Sequence, residues 1–307
     1  MEDREKKIAR KQFKNMIEGK KMKQKPTKTK KFLAVFDGLK FSQSTLDYAL
    51  QLAKETDAFL VGVFLDEFYY RSYNMNKILN SNKNAEELLE KLDAKDQETR
   101  DESVKLFEKA CNQESVDYSF HRNTGIAIQE LKQESIFADL IIINDGETFN
   151  RFSVNPPTRF IKELLSDVQC PVLIVPDKFK PIDKVTLLYD GGPSSVFAIK
   201  MYSYLFDRSP EIPVNVFTVK EESKGTHLPG NKLMREFIKR HFPKANYIVE
   251  KGEPEEQVLG HLRYHKANDL VVLGAYRRSE ISRWFKASMA DILMKQLDTP
   301  LFIAHNK

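Results

Sequence analysis

Twice in this chain a short apolar run stops at an Asp-Gly pair: residues 32–36 run into Asp37 and Gly38, and residues 185–189 run into Asp190 and Gly191. Other punctuation recurs in the same order. Asp139-Leu140 has its counterpart in Asp269-Leu270, and Cys170-Pro171 in Thr299-Pro300. An ordered set of breaks repeated along a chain is the mark of a duplication, so whatever fold this sequence takes must be one that half of it can build. Residues 176–183, rich in Pro, Lys and Asp, read as the linker between the copies.

Within each copy, continuous apolar runs alternate with amphipathic segments, the pattern of a parallel sheet covered by helices on both faces. Strands are expected at 32–36, 58–65, 116–121, 139–143 and 171–175, and again at 185–189, 214–219, 245–249, 270–273 and 301–304. Ser42 is placed to cap a helix carrying Leu46, Ala49, Leu50 and Ala53. Further helices are expected at 84–114, 126–137, 158–165, 194–206, 231–241, 254–265 and 285–297. The polar middle of the first of these, 93–103, suggests a solvent-facing or broken helix. Residues 66–84 read as irregular and aromatic, with Phe68, Tyr69, Tyr70 and Tyr73. They form either a lid or partner surface or, the favoured reading, a loop that folds its rings back onto the domain. Both last strands are short, apolar and preceded by proline, and such an edge invites pairing. The fold expected is therefore α/β, with two tandem five-stranded parallel-sheet units at 32–176 and 183–307 that meet antiparallel through 172–175 and 301–304 as a pseudo-twofold body.

Charge separates off the N-terminus. Residues 1–31 hold thirteen Lys and Arg against four Asp and Glu, a net of +9; the whole chain carries +5, so the other 276 residues carry −4. The basic character belongs to a tail, not to a binding face of the body. Such a tail reads as a solvated, disordered extension with weak affinity for nucleic acid or an anionic surface, and Ile8, Phe13, Met16 and Ile17 give it a slight apolar face. No signal peptide opens the sequence and no apolar run is long enough for a membrane helix, so a cytoplasmic protein is expected. Cys111 and Cys170 lie far apart without CxxC spacing and read as packed side chains. His261 and His265 have the spacing of a helical metal pair, but Leu262 stands where a zinc protease has glutamate; a surface pair is expected and no metal site.

The stretch from Gly274 to His305, GAYRRSEISRWFKASMADILMKQLDTPLFIAH, reads as loop, helix and strand after an apolar run that ends in glycine. Here the chain resembles the universal stress protein family. That family's nucleotide motif sets glycine, two residues, glycine, nine residues, glycine and then serine or threonine; those positions are Gly274, Arg277, Ala287 and Ser288, with Ser279, Ile281 and Arg283 also fitting without a gap. The resemblance covers about 31–305 and implies a Rossmann-like fold of the adenine nucleotide alpha hydrolase type, in a tandem arrangement. It further implies that the aspartates after the first strands, Asp37 and Asp190, face the adenine end of ATP, and that Gly274 and Ser288 face the phosphates. Gly191 completes the turn beside Asp190, and Arg277, Arg278 and Arg283 would supply positive charge where two motif glycines are missing.

In the first copy an offset of 130 puts Asn144, Glu147, Pro157 and Thr158 at the motif positions, and only Thr158 fits. Asp145 and Glu147 would repel phosphate there unless a metal intervened, so ATP is expected in the second copy alone, with no metal beyond nucleotide-associated Mg. No positioned general base is evident, so binding without rapid turnover is expected. The function implied is that of a nucleotide-responsive stress protein with a protein partner or a further copy of itself. Two alternatives stand. DGGPSS at 190–195 resembles the SGGxDS loop of ATP pyrophosphatases, which would make the chain an adenylating enzyme, though the leading serine and internal aspartate are absent. The other is an interaction module that binds no nucleotide.

Overall fold

The computed structural model describes residues 29–67, 70–81, 85–207, 212–221, 225, 227–264, 268–274 and 289–304. The basic tail lies almost wholly outside these residues. The first half runs β1 (Lys31–Phe36), α1 (Gln43–Thr56), β2 (Phe59–Glu67), α2 (Met75–Ser81), α3 (Ala85–Gln113), β3 (Tyr118–Gly125), α4 (Ala127–Ser135), β4 (Leu140–Asn144), α5 (Arg159–Asp167) and β5 (Val172–Val175). The second runs β6 (Lys184–Leu188), α6 (Pro193–Leu205), β7 (Val214–Lys220), α7 (Asn231–His241), β8 (Asn246–Lys251), α8 (Pro254–Tyr264), β9 (Asp269–Leu273), α9 (Met289–Gln296) and β10 (Leu301–Ile303).

All ten strands form one sheet in the order β3-β2-β1-β4-β5-β10-β9-β6-β7-β8. Each half keeps the order 3-2-1-4-5 with parallel neighbours, and the halves join antiparallel at Leu301 with Ile174, Phe302 with Leu173 and Ile303 with Val172. The expected junction of the two last strands is thus the one observed. Proline immediately before each strand fits this role, since its missing N–H falls just outside the ladder.

Strand alternation divides the core. Phe32, Ala34 and Phe36 of β1 face a cluster that includes α1, α3, α6 and α7, whereas Leu33 and Val35 face one that includes α4, α5, α8 and α9. Both clusters cross the junction, with Leu173 and Phe302 in the first and Ile174 and Leu301 in the second. The repeated Asp-Leu pairs serve the start of the central strands. Asp139 accepts the Lys31 N–H at 2.8 Å, and Asp269 pairs with Lys184 and accepts from the Thr186 hydroxyl, both at 3.3 Å.

Two sequence expectations need refinement. Residues 66–84 are not wholly irregular, because α2 forms within them. The 29-residue α3 is unbroken, and while most of its polar middle faces solvent as expected, Asp96, Arg100 and Ser103 form a buried stripe through it. They lie at i, i+4 and i+7 and continue the stripe of Val104, Phe107 and Cys111, so the burial is amphipathic in geometry with polar residues at the crevice end. Ion pairs and hydrogen bonds satisfy them in place of apolar contacts, as described next.

Candidate functional site

In a 3-2-1-4-5 sheet the order of building reverses between strands 1 and 4, and a crevice opens beyond their carboxyl ends where the loops part. Each half therefore has one. The first lies beyond β1 and β4, with Asp37 and Asn144 to Glu147; the second lies beyond β6 and β9, with Asp190 and Gly274.

The first crevice is filled by the chain itself. Asp37 is 1% exposed, and its Oδ1 accepts the Leu39 N–H at 2.9 Å. The Tyr70 hydroxyl interacts with this carboxyl from the segment between β2 and α2, and Tyr70 is itself buried. Burial raises the Asp37 pKa, opposed by the Leu39 amide, Lys40 and Tyr70; burial and then Asp37 raise that of Tyr70. The α3 side chains hold the aromatic segment in place. Arg100 donates to the Tyr70 carbonyl at 3.2 Å and pairs with Asp66 at 2.8 Å, and Asp96 accepts the Ser72 amide at 2.9 Å. Ser103 donates to the Gly38 carbonyl at 2.8 Å, which closes the side of the crevice next to α3.

The far wall is acidic. Glu147 is buried and its pKa lies well above the usual carboxylate value, because of burial and then the nearby Asp37. Asp145 is pushed up to about 7 by burial, then by Asp177 and by Asp298 from the second half. Thr158, the one residue here that fits the phosphate motif, is spent on structure: its hydroxyl donates to the Glu147 carbonyl at 2.6 Å and accepts the Ile161 amide as the cap of α5. This half offers phosphate a wall of carboxyls and no uncommitted hydroxyl at that position.

The second crevice is built differently. Asp190 is partly exposed and organises the turn into α6, accepting the Gly192 N–H at 2.8 Å and the Ser195 hydroxyl at 2.7 Å. Asp190 thus closes the turn that leads into the helix, whose N-cap is Gly192 without a side-chain cap; Pro193 opens the helix where no N–H is needed. Gly191 has φ of 82°, a left-handed value that glycine adopts without strain. Gly274 ends β9 against the first turn of this helix. A Cβ there would lie 2.5 Å from both the carbonyl carbon and oxygen of Ser194, so glycine is required by the close approach of the two backbones. The fold thus brings Gly274 to the Asp190–Gly191 turn. Arg277, Arg278, Arg283, Ala287 and Ser288, like Ser279 and Ile281, lie outside the described residues.

Of the other sequence candidates, His261 packs its ring on Phe217 at 4.6 Å, and His265 lies outside the described residues. Among the described residues no group of His, Cys, Asp and Glu is arranged to hold a metal, and no helix is long and apolar enough to cross a membrane. Burial pushes the Cys111 and Cys170 thiols up to about 12, which leaves them inert. Sequence reasoning missed Asp96 and Arg100, although their place on the stripe of α3 was a readable signal.

No family model and no curated protein matches this sequence. Solved structures do share its fold. A universal stress protein from Archaeoglobus fulgidus DSM 4304 is similar at a TM-score of 0.63 and 14% identity, over 90% of this chain and 96% of that one. A candidate universal stress protein from Pseudomonas aeruginosa UCBPP-PA14 gives 0.54 and 14%, over 90% and 92%. A functionally unknown protein from Pseudomonas aeruginosa PAO1 gives 0.53 and 15% over the same shares. The likeness extends across both halves and is one of fold: the chain carries the universal stress protein fold in tandem.

Proposed function

We propose that the chain is a tandem universal stress protein, with domains at 32–176 and 183–307, that holds ATP or another adenine nucleotide in its second half and acts as a stress-response regulator. The observation that carries the reading is the asymmetry of the two crevices. The first is closed by Tyr70 and walled by carboxyls, whereas the second presents the partly exposed Asp190, the left-handed Gly191 and the start of a 13-residue helix. A helix start is favourable ground for phosphate, because its free N–H groups and dipole point outward.

In this reading Asp190 meets the base or ribose, and Gly274, Ser288, Arg277 and Arg283 meet the phosphates. Binding is the function and hydrolysis is slow, because the described residues of this crevice place no His, Glu or Lys to activate water. The bound nucleotide then acts as a signal, read by a partner protein or by a second copy of the chain.

Calorimetry with ATP on the wild type, Asp190→Ala and Ser288→Ala tests the site, with Asp37→Ala and Thr158→Ala as first-half controls. The second-half changes should weaken binding at least about tenfold, the loss of one charge-assisted hydrogen bond. Loss only in the first-half variants would refute the assignment. A wild type that binds no adenine nucleotide at millimolar concentration would favour the interaction module, a reading to which the sealed first crevice already lends support.

A further inference from the structure

We propose that copies of this chain join head to tail, the β8 edge of one copy antiparallel to the β3 edge of the next, with the basic outer side of α7 laid against the acidic outer side of α3. The partner is a second copy because the two ends of the molecule fit each other. This goes beyond the nucleotide reading and uses none of its residues.

The sheet ends at β3 on one side and β8 on the other, and among the described residues neither has a strand beyond it. An open edge presents a row of unpaired N–H and C=O groups. Neighbouring strands are parallel within each half and the halves meet antiparallel at β5 and β10, so β3 and β8 run in opposite directions. A second copy displaced across the strands by one molecule's width therefore sets β3 antiparallel to β8, as β10 already lies against β5. The faces agree as well. α3 and α7 cover the same face of the sheet, so they come side by side over the new junction.

Charge selects this pairing. α3 holds nine Asp and Glu against five Lys and Arg, a net of −4, whereas α7 holds four Lys and Arg against one Glu, a net of +3. Asp101 of α3 reaches Arg122 of β3 at 2.6 Å, which identifies the side of the helix turned to that edge. Glu98 and Glu90, three residues and three turns before Asp101, share that side, and Glu102 extends the row. In α7, Arg235 lies over the Tyr247 ring of β8 at 4.5 Å, and Lys232 and Lys239 flank it on the same side, with Arg240 beyond. Glu90, Glu98, Glu102, Lys232, Lys239 and Arg240 are all exposed and form no ion pair among the described residues. Lys95 and Lys105 on α3 and Glu236 on α7 offset part of each charge without reversing it. An apolar strip backs the charges. Phe120 of β3 is 42% exposed and shares the face of Tyr118, whose ring meets Phe107 of α3 at 5.7 Å, while Tyr247 and Val249 hold the matching face of β8.

Sedimentation velocity on the full chain at about 100 µM, with no ligand added, tests the proposal. In about 0.01 M salt, where charges act over about 30 Å, species larger than a dimer should form, because a head-to-tail contact leaves both outer ends open. In about 1 M salt, where they act over about 3 Å, the protein should return to the monomer. Two triple variants change exposed side chains only: Glu90→Gln, Glu98→Gln and Glu102→Gln in one, Lys232→Gln, Lys239→Gln and Arg240→Gln in the other. Each alone should self-associate at least about tenfold more weakly, the effect of three surface ion pairs. Mixed, they should form a 1:1 dimer and nothing larger, since each supplies the face the other lacks and neither can extend the chain. Amide hydrogen exchange in 118–125 and 246–251 should slow on association. A wild type that stays monomeric in low salt overturns the proposal, as does association that both variants retain, a mixture that stays monomeric, or unchanged exchange at both edges. Loss of association only on deletion of residues 1–28 would give the α3 face to the tail and overturn it too.

Discussion

Replacing Gly274 by alanine separates packing from phosphate recognition. The new methyl would start 2.5 Å from the Ser194 carbonyl carbon and oxygen, which are backbone atoms that no rotamer change can move. Ordinary contact begins near 3.4 Å, so β9 and the first turn of α6 must part by roughly 0.9 Å or strain to a similar extent. Overpacking of this kind costs about 1–3 kcal/mol. With an unfolding entropy of about 0.6 kcal/mol/K for a chain of this length, the melting temperature should fall by about 2–5 °C. The loss should appear in protein free of nucleotide. It should also displace the turn held by Asp190, so ATP affinity should fall in the same variant. Differential scanning fluorimetry with and without ATP reads both effects. If nucleotide-free Gly274→Ala melts within 0.5 °C of the wild type, the close approach of Gly274 to Ser194 is not a constraint and the argument fails, whatever happens to binding.

Further outcomes are expected. Asp145, with its pKa pushed up to about 7, is penalised when it ionises, so its contribution is present at low pH and is lost as pH rises from about 4 to 7. Asp145→Asn should therefore raise the melting temperature at pH 8 and leave it unchanged near pH 4, by on the order of 1 kcal/mol after allowance for partial exposure; a lower melting temperature at pH 8 would contradict the sign. Phe302 sits in the junction against Tyr202 and Phe206 at 5.5 and 6.0 Å, and Phe302→Ala should cost about 3–5 kcal/mol in a single calorimetric transition, because the sheet runs through both halves. Two separated transitions would show that the halves unfold independently. Deleting residues 1–28 should leave the melting temperature nearly unchanged and reduce any salt-sensitive affinity for anionic surfaces; a large drop would make the tail part of the fold.

The periodicity of the sequence was enough to determine the strands of both halves, their helical covering and the duplication, because apolar runs such as 32–36 can only be buried between two layers. The proline before each last strand, together with the short apolar edge, even pointed to the antiparallel junction of β5 and β10. Local chemistry was equally legible at Ser42, whose hydroxyl accepts the Thr45 amide as the helix cap. What the sequence could not determine was the fate of the polar groups at the strand ends, since that depends on which distant residue reaches them. Asp37 and Asp190 end equivalent strands and look alike in sequence, yet Asp37 is buried under Tyr70 while Asp190 closes the turn before its helix from a partly exposed position. The polar middle of α3 does face solvent for the most part, but what satisfies its buried stripe was not legible, because Asp66 and the Tyr70 carbonyl, not water, satisfy Arg100. Asp145 takes part of its pKa shift from Asp298, more than 150 positions away, which only the antiparallel joining of the halves brings near. Tertiary structure decided these cases because burial turns a residue's partners, rather than its type, into the dominant energy.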